Sequence, residues 1–209
     1  MYIMKAVFHT WIWVMKTKPI VSLMPLGEEH FPLMLKWLNV PHVKRWYSSG
    51  IEWTLQQVQE KYTDYTKGFS LLQGKAIRID AFVFTADKTP VGYIQYYNAY
   101  DFPRDGYEFQ KLPQSLGAVD LFLGEAACFG KGLGHKALML LLKKHVFLRF
   151  DYAFVDPDTR NLPAIKMYEK AGFQKCHIDF GQWVCPMMKA KTLFSSEPDQ
   201  AHSSSYVVI

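Results

Sequence analysis

Hydrophobic and polar positions change their period within one stretch of the chain, residues 118–148. A short apolar run between Gly117 and Gly124 predicts a buried strand. From His135 to about Leu148 the apolar positions recur at helical spacing, with lysines on another side, which predicts an amphipathic helix. The apolar residues of the strand are Val119, Leu121, Phe122 and Leu123, and those of the helix are Ala137, Leu138, Leu141, Leu142 and Val146.

A glycine-rich loop joins this strand to this helix, and its residues are Phe129, Gly130, Lys131, Gly132, Leu133 and Gly134. Glycine accepts a positive φ or a close approach, so the loop can turn its backbone N–H groups toward one point. The unpaired N–H groups at the start of the helix add the positive end of the helix dipole. The stretch therefore predicts an anion site, and a simple tight turn between strand and helix stays open as the alternative.

The spacing of the loop excludes two familiar anion sites. A P-loop NTPase needs Gly-Lys-Ser/Thr, whereas His135 follows the last glycine here. A dinucleotide fold needs G-x-G-x-x-G in the first strand–helix unit, whereas this loop is G-x-G-x-G and lies past the middle of the chain.

The rest of the pattern predicts one α/β domain with a mixed sheet and helices on both faces. We expect strands at residues 20–25, 77–85, 91–97 and 152–155, and a closing pair at 176–179 and 182–188. We expect helices at 28–38, at 55–65 behind the cap residue Thr54, and at 161–171, where Asn161 is the cap and Gly172 follows the end. Residues 43–49 are expected to form a turn, and 99–115 show no clear period.

Length and composition set the domain limits. At 209 residues and 49% hydrophobic content, the chain can bury one good core, which we assign to residues 19–191. Residues 1–18 are expected to be an extension of uncertain order, and the serine-rich residues 192–209 to be disordered. His9 and Thr10 interrupt the N-terminal apolar run, and no small-residue cleavage site follows, so we expect neither a signal peptide nor a membrane helix.

Charge and cysteine usage narrow the choice of partners. The net charge of +5 suits an anionic ligand, but no basic block with interleaved aromatics indicates a nucleic acid. The histidines and cysteines lack metal-ligand spacing, so we expect no metal. Three cysteines without C-x-x-C spacing suit reduced thiols in the cytoplasm.

Several motifs, in order along residues 21–189, resemble the GNAT acetyltransferase superfamily, whose glycine loop binds the pyrophosphate of acetyl-CoA. The glycine loop with HKAL behind it, and the segment NLPAIKMYEKAGF, carry this resemblance. Within the superfamily, WLNVPHVKRWY, TLQQVQEKY, PVGYIQYY and DPDTRNLPAIKMYEKAGF are similar to the aminoglycoside 6'-N-acetyltransferases. The resemblance implies the GNAT acyl-CoA N-acyltransferase fold, of class α/β (α+β), with a mostly antiparallel central sheet.

Two side chains are the candidate catalytic residues. Acyl transfer to an amine needs the amine to be neutral, and a carboxylate within reach can take its proton. Asp120 precedes the apolar run LFL and matches the aspartate proposed as base in the resembling enzymes; a turn-capping aspartate is the alternative. Tyr168 matches the tyrosine that protonates the departing sulfur across the superfamily; a core tyrosine is the alternative.

The resemblance also implies the binding residues. For acetyl-CoA they are Leu121, Phe122, Leu123, Phe129, Gly130, Lys131, Gly132, Leu133, Gly134, His135, Asn161 and Tyr168. For an aminosugar held by acids and aromatic rings they are Trp46, Tyr47, Asp105, Glu108, Asp120 and Asp156. Phe129 departs from the Gln or Arg that is common at its position, and Glu108 is what is left of a more acidic run in the family.

The favoured interpretation is an acetyl-CoA-dependent N-acetyltransferase that acts on a small amine, with an aminoglycoside 6'-amine as the first choice of acceptor. The alternatives are an acetyltransferase of N-hydroxylysine-type siderophore precursors or of a protein amine, and a non-catalytic acetyl-CoA-binding regulator. We expect a monomer or homodimer with no nucleic-acid or membrane partner.

Overall fold

A computed structural model describes residues 18–48, 50–102, 111–176 and 184–191 of the chain. The strands in these ranges are β1 (Val21–Pro25), β2 (Phe69–Leu72), β3 (Lys75–Ala86), β4 (Thr89–Asn98), β5 (Leu116–Leu123), β6 (Tyr152–Val155), β7 (Gln174–Lys175) and β8 (Met187–Ala190). The helices are α1 (Phe31–Leu38), α2 (Pro41–Trp46), α3 (Leu55–Thr66), α4 (Leu133–Leu141), α5 (Phe147–Arg149) and α6 (Leu162–Lys170). No helix in the described ranges has the length and apolar content that a bilayer crossing requires.

The strands form one mixed sheet in the order β1-β3-β4-β5-β6-β8-β7, and β2 pairs with the start of β3. Among the strand pairs of the described residues, β5 and β6 are the one parallel pair. The expectation of a mixed, mostly antiparallel sheet is therefore confirmed.

Side-chain alternation along the central strands supplies a core on each face of the sheet, beside a third, smaller buried cluster with residues from β3, β4, β5 and β6. Val83 and Tyr93 pack with residues of α1, α2 and α3 on one face. Phe84 and Ile94 pack with residues of α4 and α6 on the other face. The predicted inward residues of the helix behind the glycine loop all lie in this second core, so helices on both faces are also confirmed.

Local capping signals explain where two helices begin. The Thr54 hydroxyl accepts from the Gln57 N–H at 3.3 Å, and the Gln57 side chain accepts from the Thr54 N–H at 2.9 Å, which is a capping box. The Asn161 side chain accepts from the Ala164 N–H at 3.3 Å at the start of α6. Gly172 follows the end of α6 with φ of 85°.

Three sequence predictions need correction. Residues 43–46 of the turn expected at 43–49 belong to α2 instead, because Pro41 suits a first helical position and Val43 is buried against the helical layer. The chain turns at Tyr47, after the helix, and residue 49 lies outside the described residues. Strand β2 was not predicted, because apolar and polar residues do not alternate along it. Its strand conformation comes from hydrogen bonding to β3. The helix expected from Glu28 begins as a 3-10 turn, and α1 proper starts at Phe31.

The long helix behind the glycine loop also differs from its prediction. It begins at Leu133, passes through a π-helical turn at Leu142–Val146, and ends with α5. The closing strands lie at β7 and β8, so their bounds differ from those expected. Residues 177–179 and 182–183 of the predicted closing pair lie outside the described residues.

Candidate functional site

The central feature is the place where β5 and β6 part. These two strands pair at Leu116–Tyr152, Gly117–Ala153 and Ala118–Phe154, and the parallel ladder ends there. From Val119 onward, the edge of β5 that faces β6 has no strand partner among the described pairs. Backbone N–H and C=O groups at such an edge can pair with an extended ligand. Asp120 lies directly at the point of separation.

The glycine-rich loop lies at the far end of the same strand. Gly130 and Gly132 each have φ of 71°, a left-handed conformation that strains other residues. Gly132 is the N-cap of α4, and no side chain caps it. The helix bonding begins with the Lys136 N–H to the Gly132 carbonyl at 3.1 Å, so the preceding N–H groups of the first turn lack helical acceptors. The loop therefore presents backbone donors and the positive end of the α4 dipole to an anion.

Gly134 differs from the other two glycines of the loop. Its φ is not positive, and a Cβ added there would lie 3.4 Å from the Met167 sulfur of α6 and 3.6 Å from Leu121 Cδ1. These are ordinary van der Waals distances, so neither the backbone nor the packing of α4 requires a glycine at this position.

The loop side chains point to different surroundings. The Leu133 side chain is buried in the core, and Phe129 is exposed with its ring edge-on to His42 at 4.7 Å. His135 lines a separate depression of about 440 Å³ between β1 and α4. Lys131 is exposed. The groups that this loop offers to an anion are therefore its backbone N–H groups and the exposed Lys131 ammonium.

The apolar residues that follow Asp120 are held by the core. Leu121 and Leu123 pack toward the α4 and α6 side, whereas Phe122 is buried among Trp37, Tyr47 and other rings on the opposite face. Their predicted contacts to acetyl-CoA would come from the backbone of the unpaired edge. One backbone group there is already engaged, since the Leu123 carbonyl lies 2.9 Å from His42 Nε2.

Asp120 is half-buried and is held by a hydrogen-bond chain from β4. The Gln95 side-chain NH₂ donates to Asp120 Oδ2 at 2.7 Å, and the Tyr93 hydroxyl donates to Gln95 Oε1 at 2.5 Å. Gln95 is directly opposite Asp120 in the β4–β5 ladder. Asp120 Oδ1 accepts no hydrogen bond from the described residues, so one oxygen is fixed and the other is available.

The sequence pattern alone did not identify Gln95 and Tyr93 as the residues that hold Asp120. Gln95 is a polar residue in the strand pattern PVGYIQYY and is only 6% exposed in the structure. A polar residue at an inward position of an apolar strand was the signal that could have identified it. Its partner lies 25 residues away, so only the strand register supplies the pairing.

A cluster of tyrosines surrounds this carboxylate. Tyr62 lies 5.7 Å from Tyr93 between ring centroids, and Tyr47 lies 4.8 Å from Phe122. Burial raises the pKa of Tyr47, Tyr62 and Tyr93, and the negative charge of Asp120 raises each of them further. Their hydroxyls therefore stay protonated, and they add no second negative charge beside Asp120.

Tyr168 lies on the opposite helical layer, in α6, and is 6% exposed. Its ring packs 5.6 Å from that of Phe173. Burial raises the pKa of Tyr168 well above its usual value, and the charges of Asp120 and Asp156 raise it further. Tyr168 is therefore a neutral hydroxyl donor, and the negative charges of Asp120 and Asp156 both act on it.

The predicted acceptor-binding residues are only partly brought together. Trp46 ends α2 and carries the Arg45 guanidinium 4.5 Å above its ring, while the next residue, Tyr47, lies in the tyrosine cluster. Asp156 follows β6, close enough to influence Tyr168. Asp105 and Glu108 lie outside the described residues, and Asn161 is engaged as the cap of α6.

Replacing Gly132 with Ala tests the backbone cradle. The substitution strains a position with φ of 71° by about 1 kcal/mol and tilts the free N–H groups, so we expect the Kd for coenzyme A to rise about tenfold. Isothermal titration calorimetry measures it. Gly74→Ala is the matched control, since Gly74 has φ of 79° and equally open surroundings in the distant β2–β3 turn. Equal losses of affinity in both variants would contradict a cradle at Gly132.

A sequence model of a domain family, related sequences and solved structures all match this chain, and all of them concern acetyltransferases. The sequence model of the acetyltransferase (GNAT) domain matches residues 27–178. The aminoglycoside N(6')-acetyltransferases type 1 of Klebsiella pneumoniae and Serratia marcescens are each 30% identical over 161 residues, 74% of this chain and 74% of each relative. The crystal structure of aminoglycoside acetyltransferase AAC(6')-Ib with coenzyme A is 27% identical, with a TM-score of 0.68 over 84% of this chain and 98% of that chain. Its complex with coenzyme A and kanamycin is 26% identical, with a TM-score of 0.69 over 84% of this chain and 98% of that chain.

Proposed function

Because the chain belongs to the acetyltransferase (GNAT) domain family, we propose that it is an acetyl-CoA-dependent N-acetyltransferase whose acceptor is the 6'-amine of an aminoglycoside. One observation carries the proposal. The unpaired edge of β5 carries the half-buried Asp120 and leads to the loop before the uncapped start of α4, and the charge of Asp120 reaches the neutral hydroxyl of Tyr168. An anion cradle, a base and an acid are the three groups that acetyl transfer to an amine requires.

The residues present fit coenzyme A. The glycine loop and the first turn of α4 would hold the pyrophosphate through backbone N–H groups, with no side chain at Gly130 or Gly132 to obstruct it. The unpaired edge of β5 would hold the amide groups of the pantetheine arm. Acetyl-CoA, when bound, supplies the acetyl group activated as a thioester.

Asp120 acts on the acceptor amine. An alkylamine is mostly protonated at neutral pH and cannot attack until it loses that proton. Gln95 holds Oδ2 of Asp120, which leaves Oδ1 to accept the proton directly or through one water. The carboxylate also attracts the ammonium form of the acceptor to the site.

Tyr168 acts on the departing sulfur. The raised pKa keeps its hydroxyl protonated throughout the physiological range, so the proton is present when the thiolate leaves. Packing against Phe173 holds the ring in one orientation, which limits the cost of positioning the donor.

Assignment of the acceptor rests on the relatives. Neighbouring structures are named as complexes of AAC(6')-Ib with kanamycin and with ribostamycin, and this chain is 26% identical to each. We propose that the protein works in the cytoplasm, as a monomer or homodimer, where its three cysteines stay reduced.

The test is thiol release from acetyl-CoA with kanamycin, tobramycin, an N-hydroxylysine and a peptide amine as acceptors. Under the proposal, kcat/KM is highest for the aminoglycosides, and mass spectrometry locates the acetyl group on the 6'-nitrogen. Coenzyme A binding without turnover of any amine would overturn the catalytic proposal. Preferred turnover of the hydroxylysine or the peptide would overturn the acceptor alone.

A further inference from the structure

Residues 123–129, the connecting segment, join the end of β5 to the first residue of the glycine-rich loop and include a 3-10 turn at Ala126–Cys128. Strand β6 does not accompany this segment, because the β5–β6 ladder ends at the Ala118–Phe154 pair. Its order therefore depends on β4 and on the helices that pack against it. The proposed chemistry gives no role to the helical side chains that make these contacts.

His42 of α2 contacts both ends of the connecting segment. Its Nε2 lies 2.9 Å from the Leu123 carbonyl oxygen, and because a carbonyl can only accept, Nε2 carries the hydrogen and donates it. Its ring meets the Phe129 ring edge-on, with centroids 4.7 Å apart and planes at 83°. One half-buried side chain thus bridges the end of β5 and the start of the glycine-rich loop.

The carbonyl that His42 binds points to the open edge of β5. On the other side of the strand, the Gly124 N–H donates to the Val91 carbonyl of β4 at 2.9 Å. The Leu123 carbonyl and the Gly124 N–H belong to one trans peptide unit, so they point in opposite directions. His42 therefore holds a backbone group on the same edge that the proposed function gives to the pantetheine arm.

Helix α1 holds the middle of the connecting segment. A Cβ added at Gly124 would lie 2.2 Å from Trp37 Cγ, so the buried indole packs directly on this backbone. The indole N–H donates to Glu125 Oε1 at 2.8 Å, and the Lys36 ammonium donates to the same oxygen at 2.6 Å. The bonds from Lys36 and Trp37 lower the pKa of Glu125, so its carboxylate stays ionised and keeps both donors.

These contacts order the connecting segment before a ligand arrives. A ligand that bonds both to the β5 edge and to the loop N–H groups needs them at a fixed separation. Where that separation is already set, binding does not bear the entropy cost of ordering the chain. Among the contacts from α1 and α2, that of His42 reaches the edge carbonyl and the loop ring at once, so its loss loosens both.

We propose that His42 is a positioning residue for acetyl-CoA, which fixes the end of the β5 edge relative to the glycine-rich loop. It acts through the Leu123 carbonyl and the Phe129 ring, and it leaves the chemical step to Asp120 and Tyr168. The inference rests on the proposed acetyl-CoA site and adds a residue to it. It also gives a role to Phe129, because the aromatic ring at a position where Gln or Arg is common supplies the surface on which the imidazole packs.

The test compares a variant that removes both contacts with one that keeps the hydrogen bond. His42→Ala removes both, whereas His42→Gln keeps an N–H donor near the position of Nε2. We expect the Kd for coenzyme A, measured by isothermal titration calorimetry, to rise about tenfold in His42→Ala and less than about threefold in His42→Gln. The KM for acetyl-CoA should rise by the same factors, while kcat at saturation and the KM for kanamycin stay within about twofold.

His30→Ala is the matched control. His30 is 9% exposed and accepts from the Gly27 N–H at 3.0 Å, at the opposite end of α1 from Trp37. This substitution removes an imidazole from the same helical layer, and thermal unfolding records the loss of stability in both alanine variants. The Kd for coenzyme A should nevertheless stay unchanged in His30→Ala. Equal rises of Kd in the two variants would overturn the positioning role of His42.

Hydrogen–deuterium exchange measures the order of the connecting segment and needs no turnover. In His42→Ala without ligand, we expect the amides of this segment and of the glycine-rich loop to exchange about threefold faster or more, with coenzyme A restoring most of the protection. If no amine is acetylated but these differences remain, the catalytic proposal fails and the role of His42 stands. An unchanged Kd in His42→Ala, or a raised Kd without faster exchange, would overturn that role.

Discussion

Replacing Tyr168 with Phe lowers kcat by about 10²-fold or more at every pH between about 6 and 9, because the hydroxyl that protonates the departing sulfur is removed. The flat loss follows from the raised pKa of Tyr168, since the wild-type hydroxyl does not titrate in this range. The phenyl ring still fills the place beside Phe173, so the core stays packed. The measurement is steady-state thiol release across the pH range, with acetyl-CoA and the acceptor both saturating.

A matched control separates chemistry from packing. Tyr152→Phe removes a hydroxyl at the start of β6, away from the opening between the strands, and should leave kcat unchanged. Calorimetric Kd values for coenzyme A should agree between wild type and Tyr168→Phe, because the loop donors are untouched. If Tyr168→Phe has the same kcat as wild type, Tyr168 does not protonate the departing sulfur and has only a structural role.

Replacing Asp120 with Asn lowers kcat/KM for the amine most strongly at low pH. The amide cannot take a proton from the ammonium form of the acceptor, so we expect a loss of about 10²-fold near pH 6. Near pH 9 the neutral fraction of the amine is larger, and the loss should shrink to less than about tenfold. The Asn oxygen can still accept from Gln95, so the local geometry is kept. Rates of thiol release at several pH values give the profile.

Asp80→Asn serves as the comparison for this profile. Asp80 is also a carboxylate on a strand, but it forms salt bridges with Arg78 and Arg149. It takes no part in the hydrogen bonds that join Tyr93, Gln95 and Asp120. Its replacement should leave the pH dependence of the rate unchanged. If kcat/KM falls equally at every pH in Asp120→Asn, Asp120 binds the acceptor but does not take its proton. If kcat/KM does not fall at all, Asp120 neither binds the acceptor nor acts as its base.

Much of the site could be predicted because its signals are local. The positive φ at Gly130 and Gly132, and the Asn161 cap of α6, involve residues close together in the chain. Helical and strand periods placed Asp120 on a strand before the loop and Tyr168 on the last helix, as the structure has them. Their catalytic roles stay predictions, to be decided by the rates described above.

Other features could not be predicted, because they depend on contacts between distant segments. The hydrogen bond from Gln95 to Asp120 needs the β4–β5 register, and the contact of His42 with Leu123 needs α2 to pack on the end of β5. Helix α2 itself escaped prediction, since six residues carry too little periodic signal and packing of Val43 stabilises them.

The sequence by itself determined most of the element order and the glycine loop, because spacing and backbone preference act within a few residues, and its resemblance to a known family indicated Asp120 and Tyr168 as the residues expected to move protons. Only the tertiary structure decided that α2 and β2 form, that β5 and β6 part at Asp120, and that Gln95 leaves one carboxylate oxygen available. Strand register and helix packing bring together groups far apart in the chain, and the charge that an acceptor meets there depends on that assembly.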